Sequence, residues 1–473
     1  MKDYQNEQWK AGMVLRLDYS CMMEGAIGQT GIARKDLDAL APRLEAAWKA
    51  VEEGREKMEW RDLPWSQRDT VAKIKSVAEK VRDMADNFIV LGIGGSALGP
   101  LAVHQALNHL HYNELERSRR GGPRLYVEDN IDPERMASLL DVIDARRSVF
   151  NVVSKSGTTA ETMAQFLIIT RILKERLGNV WKNHIIVTTD AEKGCLRALV
   201  EAEGFVSFVI PRGVGGRFSE FCAVGLLPAA VTGINIDELL AGAGWMDTVC
   251  KKGAQGNPAL MDAALQYLCM QKSMNISVLI PYADSLKYMS DWYAQLWAES
   301  LGKKFALDGS VVNAGQTPVK ALGVTDQHSQ IQLFTEGPYD KVVTFIQIKN
   351  FRSSAPIPEE YPDVPELCYL NGYSLEELID AECRATRFAL SKAGRPNKTI
   401  ILPAVNAFTI GQLLYFFEVE TAYTAQLLGI DAFDQPGVEE GKKATYALFG
   451  REGYADKKKE LETSPFLKAV DLV

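Results

Sequence analysis

Short apolar runs rich in β-branched side chains recur between about residues 85 and 210. The runs at 88–93, 124–128, 148–153, 184–189 and 205–210 lack the alternation of a half-exposed strand, so each reads as a strand covered on both faces. Stretches of helical period separate them. The expectation is an α/β fold: a doubly wound parallel sheet with helices on both faces. A second series begins at 276–280, continues at 341–348 and resumes at 399–402. Two such α/β units in tandem are therefore expected, although no internal repeat in the sequence is firm enough to count. Residues 1–62 carry no strand signal, and 42–58 reads as an amphipathic, charge-laced helix. Another helix spans 284–300, with Leu286, Met289, Tyr293, Leu296 and Trp297 on its apolar side. Four prolines in 351–366 mark a long surface connection, and the lysine-rich tail from Ala455 reads as a solvated helix face. The expected units are an N-terminal helical segment (1–62), a smaller α/β domain (63–240), a larger one (241–450) and a tail (451–473).

The formal net charge of −8 argues against nucleic acid or an anionic membrane as the main partner, so a positive site must be local. Seven cysteines without a CxxC pair suit buried thiols in a reducing compartment. The first residues lack the apolar core of a signal peptide, and the most apolar stretch, 413–430, is interrupted by Glu418 and Glu420. A cytoplasmic protein is expected.

In doubly wound sheets ligands sit beyond the carboxyl ends of the strands. Ser154-Lys155-Ser156-Gly157-Thr158-Thr159 stands there, after the strand at 148–153 and before a helix led by Glu161. A capped helix needs one hydroxyl; this loop offers four and a cation, which suits a dianion resting on the unpaired amides of a helix start. Gly92-Ile93-Gly94-Gly95-Ser96-Ala97 occupies the equivalent place after the first strand. It satisfies a relaxed dinucleotide fingerprint, but the acid expected about 20 positions on is not well placed. Bare amides and a hydroxyl suit a sugar phosphate as well as a pyrophosphate, and a turn needed only for packing is the plain alternative. In Gly213-Val214-Gly215-Gly216-Arg217-Phe218-Ser219 the arginine is either an anion ligand or an exposed hinge residue. Gln295 and Glu299 are four apart and share a helix face. An acid at a helix C-terminus opposes the dipole, which tends to raise its pKa toward that of a general base; an ordinary surface acid is the other reading. His328 is one of only five histidines, and no cluster offers second ligands for a metal. The loop 433–443 again opens a helix.

In chain order the segments 92–100, 154–162, 215–219, 295–303, 326–332 and 433–442 resemble the phosphoglucose isomerases of the sugar-isomerase-domain superfamily, in their shorter bacterial form. Phe433-Asp434-Gln435-Pro436-Gly437-Val438-Glu439, with Lys442, and Gly215-Gly216-Arg217-Phe218-Ser219 are the most specific of these motifs. The resemblance implies two sugar-isomerase-type domains around one site and reversible conversion of glucose 6-phosphate to fructose 6-phosphate, in glycolysis and gluconeogenesis, with no metal or organic cofactor. It implies that Ser154, Ser156 and Thr159 hold the phosphate, with Lys155 adding backbone contacts and charge. Gly94, Gly95 and Ser96 would line the sugar together with Gly216. Glu299 would be the base, Arg217 the stabiliser of an enediolate, and His328 and Lys442 the groups that assist ring opening. Gln295, Gln435 and Glu161 would be further sugar contacts. A homodimer is implied, with His328 given across its interface. Ala298, Gln327 and Pro436 depart from the family pattern. A non-catalytic sugar-phosphate sensor could dispense with Glu299 and His328, and a nucleotide-dependent oxidoreductase would use 92–97 to hold a dinucleotide.

Overall fold

The computed structural model describes residues 2–254 and 256–464. Near its start Arg16–Asp18 forms a short strand, β1. The first series of apolar runs becomes β2 (Asn87–Leu91), β3 (Arg124–Glu128), β4 (Ser148–Val153), β5 (Ile185–Thr189) and β6 (Val206–Val209). They form a parallel sheet in the order β3-β2-β4-β5-β6. β2, β4 and β5 are buried along their whole length, which is why they read as unbroken apolar runs. The chain steps from β2 out to β3 and returns on the other side at β4. Loops leaving the two strands on either side of such a reversal diverge and open a crevice at the carboxyl edge. The loops after β2 and β4 are the glycine loop and the hydroxyl loop.

The second series gives β7 (Ile276–Pro281), β10 (Thr317–Lys320), β11 (Lys341–Asn350) and β12 (Asn397–Ala404); between them β8 (Lys303–Phe305) and β9 (Val311–Ala314) form a separate antiparallel pair. Its order, β1-β12-β11-β7-β10, repeats the same excursion and return, so the tandem organisation is topological where no sequence repeat is visible. β1 closes the outer edge antiparallel to β12. The segment 1–62 therefore does contain a strand, contrary to the sequence reading. Three residues with a charge at each end carry too little periodicity to be seen, and their stability comes from β12. β10 is hidden in the sequence for the same reason. The helix expected at 42–58 is Ala41–Glu53 followed by a 3-10 turn.

Between the sheets the helix Ala407–Leu428 is buried on almost every side. It approaches Ile236–Cys250 so closely that a Cβ at Gly411 would lie 2.0 Å from the Leu239 carbonyl oxygen. Its apolar surround encloses Glu418, and neither carboxyl oxygen has a hydrogen-bond partner among the described residues. Glu220, wedged against Gly99 and Gly225, is buried in the same way. Burial pushes both carboxyls well above the ordinary range. No helix among the described residues is long and apolar enough to cross a membrane.

A polar network ties the N-terminal segment to this helical layer. The fully buried Asp247 accepts from Arg55 Nη1 at 2.9 Å, Tyr415 OH at 2.6 Å, Trp65 Nε1 at 2.8 Å and Arg61 Nη2 at 3.2 Å, and pairs with Lys251 at 2.8 Å. Burial alone would raise its pKa. That is the largest single effect, but the hydrogen bonds from Arg55, Lys251 and Tyr415 and the charge of Arg61 together outweigh it, and the carboxyl is held well below its usual range. Its stabilisation is therefore fully present above the unfolded value of about 3.9 and is lost as the pH falls through the folded value. Asp247→Asn is expected to cost about 3–5 kcal/mol at neutral pH, with the gap to the parent narrowing below about pH 4. Urea midpoints across that range would measure it, and identical midpoints at pH 7 would rule the network out as a source of stability.

Candidate active site

The hydroxyl loop after β4 is built around contacts among its own side chains. Ser154 Oγ lies 2.9 Å from Thr159 Oγ1 and accepts from the Gly157 N–H at 3.2 Å; Ser156 Oγ accepts from the Thr158 N–H at 3.3 Å. Thr159 precedes the helix Ala160–Leu177, yet its hydroxyl caps no N–H. The Thr159 hydroxyl is thus not consumed in starting the helix. Ser154, Ser156 and Thr159 line a cavity of about 480 Å³ with Ser96, Gly215, Gly216, Gln435 and Phe433. Lys155 also lines it, but its Nζ donates to the Arg212 and Val214 carbonyls at 2.7 and 2.8 Å. It is thus a strut between the hydroxyl loop and the arginine loop, a role its place in the motif does not reveal.

The glycine loop and the arginine loop interlock. A Cβ on Gly95 would lie 2.1 Å from the Gly216 carbonyl oxygen, so only glycine permits the contact. Gly94, at φ +58°, faces Gln295, whose Nε2 would stand 2.9 Å from a Cβ there. Gln295 Nε2 donates to Glu299 Oε2 at 3.1 Å, as their spacing on the helix Lys287–Leu301 predicts.

Arg217 is buried, not an exposed hinge residue. Its Nε donates to Ser300 Oγ at 2.7 Å, Nη1 to Gln435 Oε1 at 3.1 Å, and Nη2 to the Ala432 and Asp434 carbonyls at 2.5 and 3.1 Å. Four of the five N–H groups are thereby used. The remaining one is on Nη1, the nitrogen 3.6 Å from Glu299 Oε2. Burial lowers the guanidinium's pKa, with Glu299, Asp434 and Asp431 opposing the shift, and an arginine stays charged at neutral pH. Glu299, whose side chain is partly exposed, is joined through Arg217 Nη1 to Gln435, a residue of the cavity lining.

Two supports of this arrangement are not legible in the sequence. Lys303, almost fully buried, donates to the Glu299 carbonyl at 3.0 Å and pairs with Asp434 at 3.0 Å, fastening the end of the glutamate's helix to the 431–435 loop. A cation at a helix C-terminus is the favourable sign for the dipole. Behind Arg217, Trp60 stacks near Phe218 with ring centroids 4.9 Å apart, and Glu59 accepts from the Gly213 N–H at 3.0 Å. These contacts join positions more than 150 apart in the chain, and no local pattern announces them.

Glu161 and Lys442 line a neighbouring cavity of about 580 Å³ that shares Ile93, Ser156 and Thr159 with the first. Lys442 pairs at the surface with Glu439 at 2.9 Å. His328 is exposed in the turn Thr325–His328 and lines neither cavity. Glu128 and Asp129, the acids nearest to a ribose-binding position, both pair with Arg135 at 2.9 and 2.8 Å, which leaves the dinucleotide reading without its acid. A separate cavity of about 910 Å³ around Arg352, Tyr369 and Glu376 shares no residue with the site.

A doubly wound sheet with a hydroxyl-lined crevice at its reversal point, beside a carboxylate that faces a buried guanidinium, can hold a small anion and move protons next to it. A family model described as phosphoglucose isomerase matches residues 66–360 and 372–464. The glucose-6-phosphate isomerase of Carboxydothermus hydrogenoformans is 53% identical over 95% of this chain and 97% of its own length. That of Rubrobacter xylanophilus is 44% identical over 92% of this chain and 98% of its own. The crystal structure of a hypothetical protein from Thermus thermophilus superposes with a TM-score of 0.83 at 36% identity, covering 92% of this chain and all of the other. The chain belongs to the phosphoglucose isomerase family.

The interlocked glycine contact yields a sharp expectation. Gly95→Ala should separate the two loops, lowering stability by about 1–3 kcal/mol and weakening sugar-phosphate binding. Thermal unfolding and calorimetric titration would show it; a variant matching the parent in both would mean that the contact is dispensable.

Proposed function

We propose that the chain interconverts glucose 6-phosphate and fructose 6-phosphate with Glu299 as the base that carries a proton between C1 and C2. The observation that supports this most directly is the carboxylate 3.6 Å from Arg217 Nη1, a nitrogen that hydrogen-bonds only Gln435 among the described residues. Moving a proton from C2 leaves negative charge on the sugar oxygens as an enediolate. General acid–base catalysis supplies about 10²–10⁴-fold, too little for such a reaction alone. A fixed cation beside the developing charge adds about 3–4 kcal/mol per donor, and a buried arginine held on four sides needs no reorganisation to supply it.

Ser154, Ser156 and Thr159 are the phosphate ligands in this reading, with Ser96 and the Gly94–Gly95 turn along the sugar. Gln295 and Gln435 hold the base and the guanidinium as well as meeting hydroxyls. Binding at the phosphate end then fixes C1 and C2 against Glu299, so affinity remote from the reacting carbons is used for orientation. Lys442 and Glu161 face the neighbouring cavity, on the side where ring opening would take place. His328 lies apart from these groups in one chain, which suits a homodimer in which each copy gives its histidine to the other's site. Seven unpaired cysteines and a phosphorylated substrate suit the cytoplasm.

Glu299→Gln is expected to stop exchange of the C2 proton with deuterated solvent and to lower kcat by about 10³-fold or more, with sugar-phosphate affinity little changed. A variant that keeps a tenth of the parent rate would mean the base is another group. Mixing Glu299→Gln with His328→Ala chains should restore one working site in each hybrid dimer, about a quarter of parent activity after random reassortment. Confirmed hybrids without activity would show a site complete within one chain.

A further inference from the structure

We infer that Lys193 is the principal mobile cation for the substrate's phosphate, a binding and specificity residue of the site proposed above; the inference rests on that reading. The charged side chains that line the 480 Å³ cavity are Lys155, Lys193 and Asp190. Lys155 already donates to two carbonyls of the arginine loop. Asp190 accepts N–H bonds from Glu192 at 2.9 Å and Lys193 at 3.0 Å, and these hold its carboxyl below the ordinary range, so it is ionised. A phosphate dianion entering the cavity therefore meets a fixed negative charge, which one partly committed lysine does not outweigh.

Lys193 supplies the difference. Its Nζ makes no hydrogen bond or ion pair among the described residues, and its side chain is exposed at the cavity. Its backbone is nevertheless pinned to the hydroxyl loop. The next residue, Gly194 at φ +94°, lies so close that a Cβ would stand 2.5 Å from the Ser156 carbonyl oxygen, and Cys195 donates its thiol to the Gly157 carbonyl. A long flexible cation on a fixed base beside Ser156 can reach a phosphate held by Ser154, Ser156 and Thr159, as a point charge that needs no set geometry. Removing it leaves one lysine against one aspartate.

The test compares the full chain with Lys193→Gln, Lys193→Glu and Lys193→Arg. For Lys193→Gln, KM for fructose 6-phosphate should rise about tenfold, more than kcat falls, and the inhibition constant for inorganic phosphate should rise in parallel. Lys193→Glu should be worse and Lys193→Arg near the parent, while the parent's phosphate affinity should fall more steeply with salt than that of Lys193→Gln. A correctly folded Lys193→Gln protein with parental KM and parental phosphate inhibition would overturn the inference. A parent that binds inorganic phosphate but does not isomerise would instead count against the proposed reaction, so the two failures are separable.

Discussion

A guanidinium taken out of water must find an acceptor for nearly every N–H, and Arg217 meets that demand by gathering segments far apart in the chain. Ser300 comes from the end of one helix, Gln435 and two carbonyls from the 431–435 loop, and the ring of Trp60 from the N-terminal segment lies behind the adjoining Phe218. Losing any of the four oxygen acceptors would strand a buried donor, at a cost of about 1–3 kcal/mol. The loop cannot drift without breaking several bonds at once. The rest of the site takes its position from this fixed point: Gly216 presses on Gly95, Lys155 reaches to Val214, and Lys303 binds the helix of Glu299 to the loop that caps the arginine.

The two sheets divide the work. The first brings its reversal point, and with it the anion-holding loops, to one edge. The second supplies the helix after β7, whose far end carries Gln295 and Glu299 back to that edge. Neither sheet alone contains both the anion seat and the carboxylate, and the helical layer around Ala407–Leu428 keeps them together. Four strands keep one order in both sheets, β3-β2-β4-β5 and β10-β7-β11-β12, without a shared sequence motif.

Legibility in the sequence follows the range of the interaction. β2, β4 and β5 are visible because burial on both faces demands an unbroken apolar run, and the pairing of Gln295 with Glu299 because helical spacing dictates it. The strands Arg16–Asp18 and Thr317–Lys320 are not, since they owe their form to a neighbour in the sheet. Lys155 reads as a charge for the ligand, yet its side chain turns to carbonyls about 60 positions on. Glu59, Trp60 and Lys303 support the site through contacts that no local pattern encodes. Arg217 can be singled out from its glycine-rich setting, whereas its burial cannot.

The carboxyls of Glu220 and Glu418 have a consequence for the molecule as a whole. Each keeps its hydrogen in the native state and releases it when the chain opens into neutral water, so forming the native state takes up protons there. For these groups stability declines as the medium turns alkaline, the reverse of the trend set by Asp247. Buffers of different ionisation enthalpy would register the uptake as heat.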